Sequence, residues 1–167
     1  MITIRLGTYA LLAAAVGALN VALASGRETV VERYPSGAVM RVAEYRGNVL
    51  DGVVRGWYEN GAIEYSRSYR HGAESGDHFG WYENGARKFS YHYASGVTEG
   101  VQRQWFPNGH LLTEFHHRAG HEAGQQRMWN ADGSIRSNYV IADGRRYGLL
   151  GATGCTGRGM AIEGAVQ

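Results

Sequence analysis

Aromatic and apolar residues alternate with polar ones, with a period of two, over much of the chain. Because successive side chains of a β-strand point to opposite faces of a sheet, this alternation predicts half-buried strands. Three runs between residues 63 and 117 each place their aromatic residues on one side. The aromatic face comprises Ile63, Tyr65, Arg67, Tyr69, Arg87, Phe89, Tyr91, Tyr93, Leu111, Thr113, Phe115 and His117, and the polar face comprises Glu64, Ser66, Ser68, Lys88, Ser90, His92, Leu112, Glu114 and His116.

The alternating runs recur at a fixed offset of 24 residues. Residues 56–62 return unchanged as residues 80–86, and weaker copies surround Trp105 and Trp129. An earlier copy surrounds Tyr34, which makes five units between residues 33 and 148. A constant period in this range indicates a repeat architecture, in which each unit buries its apolar face against its neighbours.

Each unit carries two turn signals and a third glycine. Asn-Gly and Asp-Gly pairs tolerate the positive φ of tight hairpin turns, and we predict that Gly85 has positive φ. The first signal ends at Gly37, Gly61, Gly85, Gly109 and Gly133, and the second lies at Asn48, Gly72, Gly96, Gly120 and Gly144. We expect Asn48 to share the left-handed conformation of those glycines. The third glycine of each unit marks the entry to the next strand, at Gly52, Gly76, Gly100, Gly124 and Gly148.

These patterns predict an all-β fold of tandem 24-residue β-hairpin repeats that form an elongated, twisted antiparallel sheet. A single hairpin is marginally stable in water, so the aromatic rows of adjacent repeats have to bury each other. We interpret the repeated tryptophans as one such buried row, because aromatic side chains bury large areas in protein cores. The row consists of Trp57, Trp81, Trp105 and Trp129.

The first 24 residues have the features of a secretory signal peptide. Arg5 precedes an apolar run, and Ala22-Leu23-Ala24 is the small-x-small pattern that signal peptidase accepts. We predict cleavage after Ala24, before Ser25, and a periplasmic or secreted protein; an uncleaved membrane anchor is the alternative. The expected organisation is a signal peptide at 1–24, a linker at 25–32, five repeats at 33–148 and a Gly-rich tail at 149–167.

Charge and cysteine content exclude several classes of protein. The 17 basic and 15 acidic side chains give a net charge of +2, which is too small and too dispersed for a nucleic-acid partner. The lone Cys155 excludes an internal disulfide framework. It is interpreted as an inert residue of the tail, with intermolecular pairing or metal binding as the alternative.

The repeated motif resembles a known family. The pattern Gly-x-x-x-x-Trp-Tyr-x-Asn-Gly, as in residues 52–61, resembles the MORN repeat in the variant form found in YwqK-like antitoxins. The resemblance extends over residues 33–148, and the first and fifth copies are degenerate. It implies a scaffold that binds proteins or lipids, and the antitoxin name implies a toxin as partner.

The histidines are the one candidate for metal chemistry. All seven lie between residues 71 and 121, at His71, His78, His92, His110, His116, His117 and His121. His92 and His116 occupy the same repeat position on the polar face, and imidazoles suit Zn²⁺ or Cu²⁺. The alternative interpretation, which we favour, is that they are solvated or stacked side chains. No HExxH, CxxC or catalytic motif accompanies them, so no enzyme and no cofactor is predicted.

Two functions from different classes follow. The first is an exported, non-enzymatic repeat scaffold that binds a protein partner in the cell envelope. The alternative is a metal- or lipid-associated envelope accessory protein that uses the His71 to His121 cluster, with peripheral membrane association. A toxin-neutralising role is less favoured.

Overall fold

A computed structural model describes residues 17–24, 26–151 and 164–165 of the chain. These residues form fifteen β-strands and no helix. The strands are β1 (Gly17–Ala24), β2 (Arg27–Arg33), β3 (Val39–Arg46), β4 (Val49–Trp57), β5 (Ile63–Arg70), β6 (Ala73–Glu74), β7 (Gly76–Trp81), β8 (Arg87–Ala94), β9 (Val97–Thr98), β10 (Gly100–Trp105), β11 (Leu111–Arg118), β12 (His121–Trp129), β13 (Ile135–Ala142), β14 (Arg145–Leu149) and β15 (Gly164–Ala165).

All the strands belong to one open antiparallel sheet, in which neighbours in sequence are neighbours in space. The short strands β6 and β9 pair with β5 and β8 and precede β7 and β10 across a break of one residue. The predicted fold of tandem β-hairpins in one antiparallel sheet is therefore confirmed. Within the described part of the chain, no helix has the length and apolar character needed to cross a membrane.

The sheet extends beyond the predicted repeats at both ends. The linker predicted at 25–32 is wrong, because β2 pairs with β3 along its length and the β-branched Thr29, Val30 and Val31 favour a strand. On its other side β2 pairs with β1, which occupies the last part of the predicted signal peptide. Residues 1–16 and the predicted cleavage position at Ser25 lie outside the described residues.

The predicted tail is not wholly separate from the sheet either. Within residues 149–167, the two residues of β15 pair with β14 at Arg145 and Arg146. The intervening Cys155 lies outside the described residues, so its interpretation stays a prediction.

The Asn-Gly turns have the predicted conformation. Gly85 has a φ of +82°, and its four counterparts lie between +85° and +90°. In each turn the glycine N–H donates to the carbonyl three residues earlier, as from Gly61 to Tyr58 at 2.9 Å. The Asn60 side chain accepts from the N–H of Ala62 at 2.9 Å, which fixes the turn from its polar side. This is a three-residue loop closed by a left-handed glycine.

The second set of turns differs from the first. Both central residues are left-handed in four of them, with φ near +50° at His71, Ser95, Ala119 and Asp143 and larger values at the glycines that follow. Two left-handed residues are typical of a type I′ turn, whose twist matches that of the strands. In the remaining turn Gly47 has positive φ, at +60°, and Asn48 does not. The expectation that Asn48 is left-handed is therefore wrong. In this turn the glycine is residue 47, one position before the place that glycine takes in the other four turns.

Tyrosine hydroxyls connect the turns of the first three repeats to the repeat that follows. The hydroxyl of Tyr58 donates to the carbonyl of Trp81 at 2.9 Å, and that of Tyr82 donates to the carbonyl of Trp105 at 2.8 Å. Tyr34 makes the same bond to Trp57 at 2.8 Å. The fourth unit has Phe106 at this position, which has no hydroxyl to reach the carbonyl of Trp129. The tyrosine ladder therefore ends one repeat before the Asn-Gly turns do.

The aromatic face carries the most buried side chains, but the tryptophans are not among them. Strand register places Tyr65, Phe89 and Tyr139 on this face with the fully buried His78 and Gln126. All four tryptophans are half-buried. Trp81 contacts Phe79, whose strand partner is Ser90 of the polar face. The predicted buried tryptophan row is thus wrong, because the four side chains are only half-buried and lie on the polar face, opposite to the buried ladder of the aromatic face.

A pair of substitutions tests the tyrosine ladder. We expect Phe106→Tyr to raise the free energy of unfolding by about 1 kcal/mol, because the new hydroxyl supplies the missing bond to Trp129. We expect Tyr82→Phe to lower it by a similar amount. Denaturant unfolding at neutral pH measures both, and equal stability of the two variants would contradict the ladder.

Candidate functional site

The two histidines proposed as metal ligands lie on the same face, but the structure does not bring them together. His92 is in β8 and His116 is in β11. Ser90 pairs with Arg103 of β10, and Arg103 pairs with Glu114, so these three residues share one face. His92 and His116 each lie two residues further along and therefore share that face too. His117, the next residue along β11, therefore points to the aromatic face, as the strand alternation predicts. Because β10 lies between β8 and β11, the two imidazoles are two strand spacings apart, or about 10 Å.

Each of these imidazoles has a partner of its own. Nδ1 of His92 is 2.7 Å from Oδ1 of Asp77, and Nδ1 of His116 is 2.6 Å from the carbonyl oxygen of Gln125. His78 is buried on the aromatic face, and the exposed His71, His110 and His121 lie at turns or strand ends. Among the described residues, no group of three or more His, Cys, Asp or Glu side chains could hold a metal ion. The cluster seen in sequence is therefore spread over the sheet.

A cleft of about 670 Å³ lies near the second set of turns, lined by His116, Glu99 and Glu122 among others. Its carboxylates already stabilise the fold. Oε2 of Glu99 accepts from the N–H of Ala119 at 2.7 Å, and Oε2 of Glu122 lies 3.4 Å from both Arg146 and the hydroxyl of Tyr139. Acid groups engaged in this way bridge neighbouring turns and strands.

The four tryptophans form a regular row on the polar face. Trp57, Trp81, Trp105 and Trp129 stand at the ends of β4, β7, β10 and β12, each with one strand between it and the next. Alternate strands place them about 10 Å apart. Each indole is half-buried, so it offers apolar area and a ring N–H to a binding partner. We use the name tryptophan row for these four residues.

Cationic side chains accompany the row. The guanidinium of Arg87 lies 4.8 Å from the ring centroid of Trp81 and 4.7 Å from that of Phe79. The prediction that Arg87 lies on the aromatic face is therefore wrong, because the strand register shifts between Gly80 and Trp81. Such contacts hold a long side chain over the rings and stabilise it by a modest amount. On the same face Glu114 is paired with Arg103 at 2.8 Å and with Arg127 at 3.5 Å. The polar face therefore presents aromatic rings and ordered arginines side by side.

Sequence reasoning missed a ladder of buried side chains on the aromatic face. Val54, His78, Gln102 and Gln126 are spaced by 24 residues, and each is at most 5% exposed. Their regular spacing was available in the sequence. From the sequence alone, a glutamine in a strand is expected to be solvated. Only the pairing of the strands shows that Gln102 and Gln126 face the aromatic side.

The two glutamines complete the backbone pairing at irregularities of the sheet: a break between β9 and β10 for Gln102, and a register shift between β11 and β12 for Gln126. Opposite His92 the strand is interrupted between β9 and β10. Oε1 of Gln102 accepts from the N–H of His92 at 3.0 Å, and Nε2 of Gln102 donates to the carbonyl of His92 at 3.2 Å. Gln126 makes the same two bonds to His116, at 3.2 Å and 2.8 Å. The amide side chain thus supplies a donor and an acceptor like those of a peptide group, and that of Gln102 shares the carbonyl of His92 with the N–H of Glu99, which donates to it at 2.9 Å.

His78 fills the same position with an imidazole. Its Nε2 lies 2.8 Å from the carbonyl oxygen of Ser68, and its ring contacts the rings of Tyr69 and Tyr93 at centroid distances of 5.7 Å and 4.5 Å. The side chain is 2% exposed. Burial lowers the pKa of His78 below its ordinary value, since the cation loses its hydration. The folded protein therefore holds this imidazole neutral.

The MORN repeat variant is the family whose model matches the chain, at residues 50–71 and 98–118. The matched segments contain β5, β10, β11 and most of β4, so these hairpins are similar to the MORN repeat variant. MORN repeats are non-catalytic binding modules. No curated protein matches the sequence.

The neutral His78 predicts a pH dependence of stability. The pKa in the folded state lies below the ordinary value near 6.5, so the unfolded chain binds the proton first as the pH falls. The contribution of His78 is fully present above pH ~6.5 and is lost in acid, at a rate of at most about 1.4 kcal/mol per pH unit. We expect His78→Gln, which copies the residue of the next two repeats, to reduce the loss of stability between pH ~6.5 and ~5.

Denaturant unfolding across this pH range measures the effect. His121→Gln is the matched control, because the same substitution there alters an exposed residue at the start of β12. Identical pH profiles for His78→Gln and the unsubstituted protein would contradict the assignment.

Proposed function

We propose that this chain of MORN-type repeats is an exported, non-enzymatic scaffold that binds a protein partner in the cell envelope through the tryptophan row. The observation that supports it is the row itself: one half-buried tryptophan in each of four repeats, on one face, at constant spacing. Trp, Tyr and Arg are the side chains that most often dominate the energy of protein interfaces. Arg87 over Trp81 supplies that combination within one repeat.

The geometry of the row favours an extended partner. A surface of equivalent positions repeated across strands suits an elongated ligand better than a compact one. An extended chain advances about 3.3 Å per residue, so a segment running across the strands would pass one tryptophan about every three residues. The flanking Arg55 is exposed on the same face and adds a positive group at the rim.

Support for export comes from the sequence. The apolar run and the Ala22-Leu23-Ala24 pattern favour removal of residues 1–24. Cleavage there would remove β1 and leave β2 at the edge of the sheet. The charged Arg27, Glu28 and Glu32 suit an edge strand, because charges at an edge discourage pairing with other chains.

The mass of the protein tests export. We expect the protein recovered from the envelope fraction to begin at Ser25, as measured by intact mass spectrometry. A mass that includes residues 1–24 would show that the segment is retained as an anchor.

The role of the tryptophan row is tested in two steps. Cross-linking of the tagged protein in the envelope identifies candidate partners, and titration of each purified candidate then measures the dissociation constant. We expect Trp81→Leu to weaken binding by about 30-fold, which corresponds to ~2 kcal/mol for a central interface residue. The leucine keeps an apolar side chain against the strand and removes the indole.

Tyr147→Leu is the matched control. Tyr147 is an aromatic residue of β14 that is 46% exposed and lies outside the row. We expect this change to leave the dissociation constant unchanged. Equal affinities of the Trp81→Leu and unsubstituted proteins, with equal melting temperatures, would contradict the proposed surface.

A further inference from the structure

A cavity of about 190 Å³ lies on the aromatic face, between the third and fourth Asn-Gly hairpins. Its walls are rings and small polar groups, contributed by β8, β9, β10 and β11: Tyr91, Tyr93, Thr98, Gln104, Phe115 and His117. The face is opposite to the tryptophan row, so this cavity is separate from the proposed protein-binding surface. At ~30 Å³ for each water molecule, the volume corresponds to about six waters.

One nitrogen in the cavity wall has no partner. Nδ1 of His117 is shielded from solvent, and no hydrogen-bonding group of the described chain reaches it. A buried polar atom without a hydrogen-bond partner destabilises the protein, so a ligand that supplies a partner gains affinity. A hydroxyl group can donate or accept, and it therefore satisfies this nitrogen in either tautomer of the imidazole.

The other polar groups of the wall are ordered. The amide of Gln104 donates to the hydroxyl of Tyr91, and Gln102 at the back of the cavity is held by its bonds to His92 and Glu99. The rings of Phe89 and Tyr91 are stacked with centroids 4.9 Å apart, which fixes one wall. Ordered groups lose little conformational freedom when a ligand binds, which favours binding even by a small molecule.

The side chains that line the cavity indicate which charge its ligand carries. No Asp, Glu, Lys or Arg side chain lines the cavity. A charged ligand would lose hydration without gaining an ion pair, and that loss is costly. The walls instead combine ring faces with hydroxyl and amide groups. They match a molecule that has an apolar C–H face and several hydroxyls.

We propose that this cavity binds a neutral sugar ring. The C–H face of the sugar packs against the rings of Tyr93 and Phe115, and one of its hydroxyls bonds to Nδ1 of His117 once the imidazole turns this shielded nitrogen toward the cavity. Gln104 and Thr98 offer further hydrogen-bonding groups at the rim. Small sites of this kind, with aromatic walls and a few placed polar groups, orient their ligands well. The site is independent of the partner proposed for the opposite face.

Saturation-transfer difference NMR on the purified full chain tests the proposal. Glucose and N-acetylglucosamine serve as neutral probes, and glucuronate and glucosamine are their anionic and cationic counterparts. We expect a neutral probe to bind with a dissociation constant of about 1 mM, as suits a contact area of one ring. We expect the charged counterparts to bind at least 10-fold more weakly.

Substitution of His117 connects binding to the cavity. His117→Phe keeps a ring in place and removes both nitrogens, and we expect it to weaken neutral-sugar binding by about 10-fold. His121→Phe makes the same change at an exposed position outside the cavity and should have no effect. Thr98→Val is a second cavity variant that replaces one hydroxyl by a methyl group, and we expect it to weaken binding too.

Melting temperatures of all three variants confirm that each remains folded. Absence of binding by both neutral probes overturns the proposal. Equal binding of charged and neutral sugars also overturns it, and so does binding that survives both His117→Phe and Thr98→Val.

Discussion

A single open sheet has no second layer, so each repeat has to bury its aromatic side and satisfy its backbone against the repeats beside it. The hydroxyl of Tyr58 meets a carbonyl one repeat further along the chain, and the amide of Asn60 bonds to Glu83 in the next turn at 3.1 Å. Gln102 bonds to the backbone of His92 in the preceding hairpin. A hairpin taken alone would lose all of these bonds. Stability is therefore shared between neighbours, as in other repeat proteins.

The same constraint governs the volumes of the side chains. An added Cβ at Gly80 would lie 2.1 Å from the ring of Phe89, its strand partner, and one at Gly56 would lie 2.3 Å from the ring of Tyr65. The glycines are present because the rings lie over them. In the next two repeats the pair is reversed in size, with Gln104 opposite Thr113 and Met128 opposite Ser137. From repeat to repeat, the summed volume of the two paired side chains changes less than the volume of either one, which keeps the sheet closely packed.

Features that depend on nearby residues could be predicted from the sequence, and features that depend on pairing across the sheet could not. The left-handed φ of Gly85 follows from the Asn-Gly turn, and the opposite faces of His116 and His117 follow from strand alternation. The burial of Gln126 does not, because it depends on the register shift between β11 and β12 that leaves the backbone of His116 to its amide. The prediction of a buried tryptophan row was wrong for a related reason. Aromatic content suggested a core, but one residue of register decides which face a side chain takes.

The buried ladder shows how a repeat scaffold can diverge without losing its fold. Val54, His78 and Gln102 occupy one structural position with three different chemistries. Each is accommodated by its own neighbours: Glu44 bonds to the backbone beside Val54, at Val53, two tyrosines flank His78, and a backbone gap receives Gln102. Because contacts reach only to adjacent repeats, a substitution in one repeat needs compensation only in that repeat and its neighbours. Acid sensitivity can thus reside in one repeat and a sugar-sized cavity in the next, while the tryptophan row continues unchanged along the opposite face.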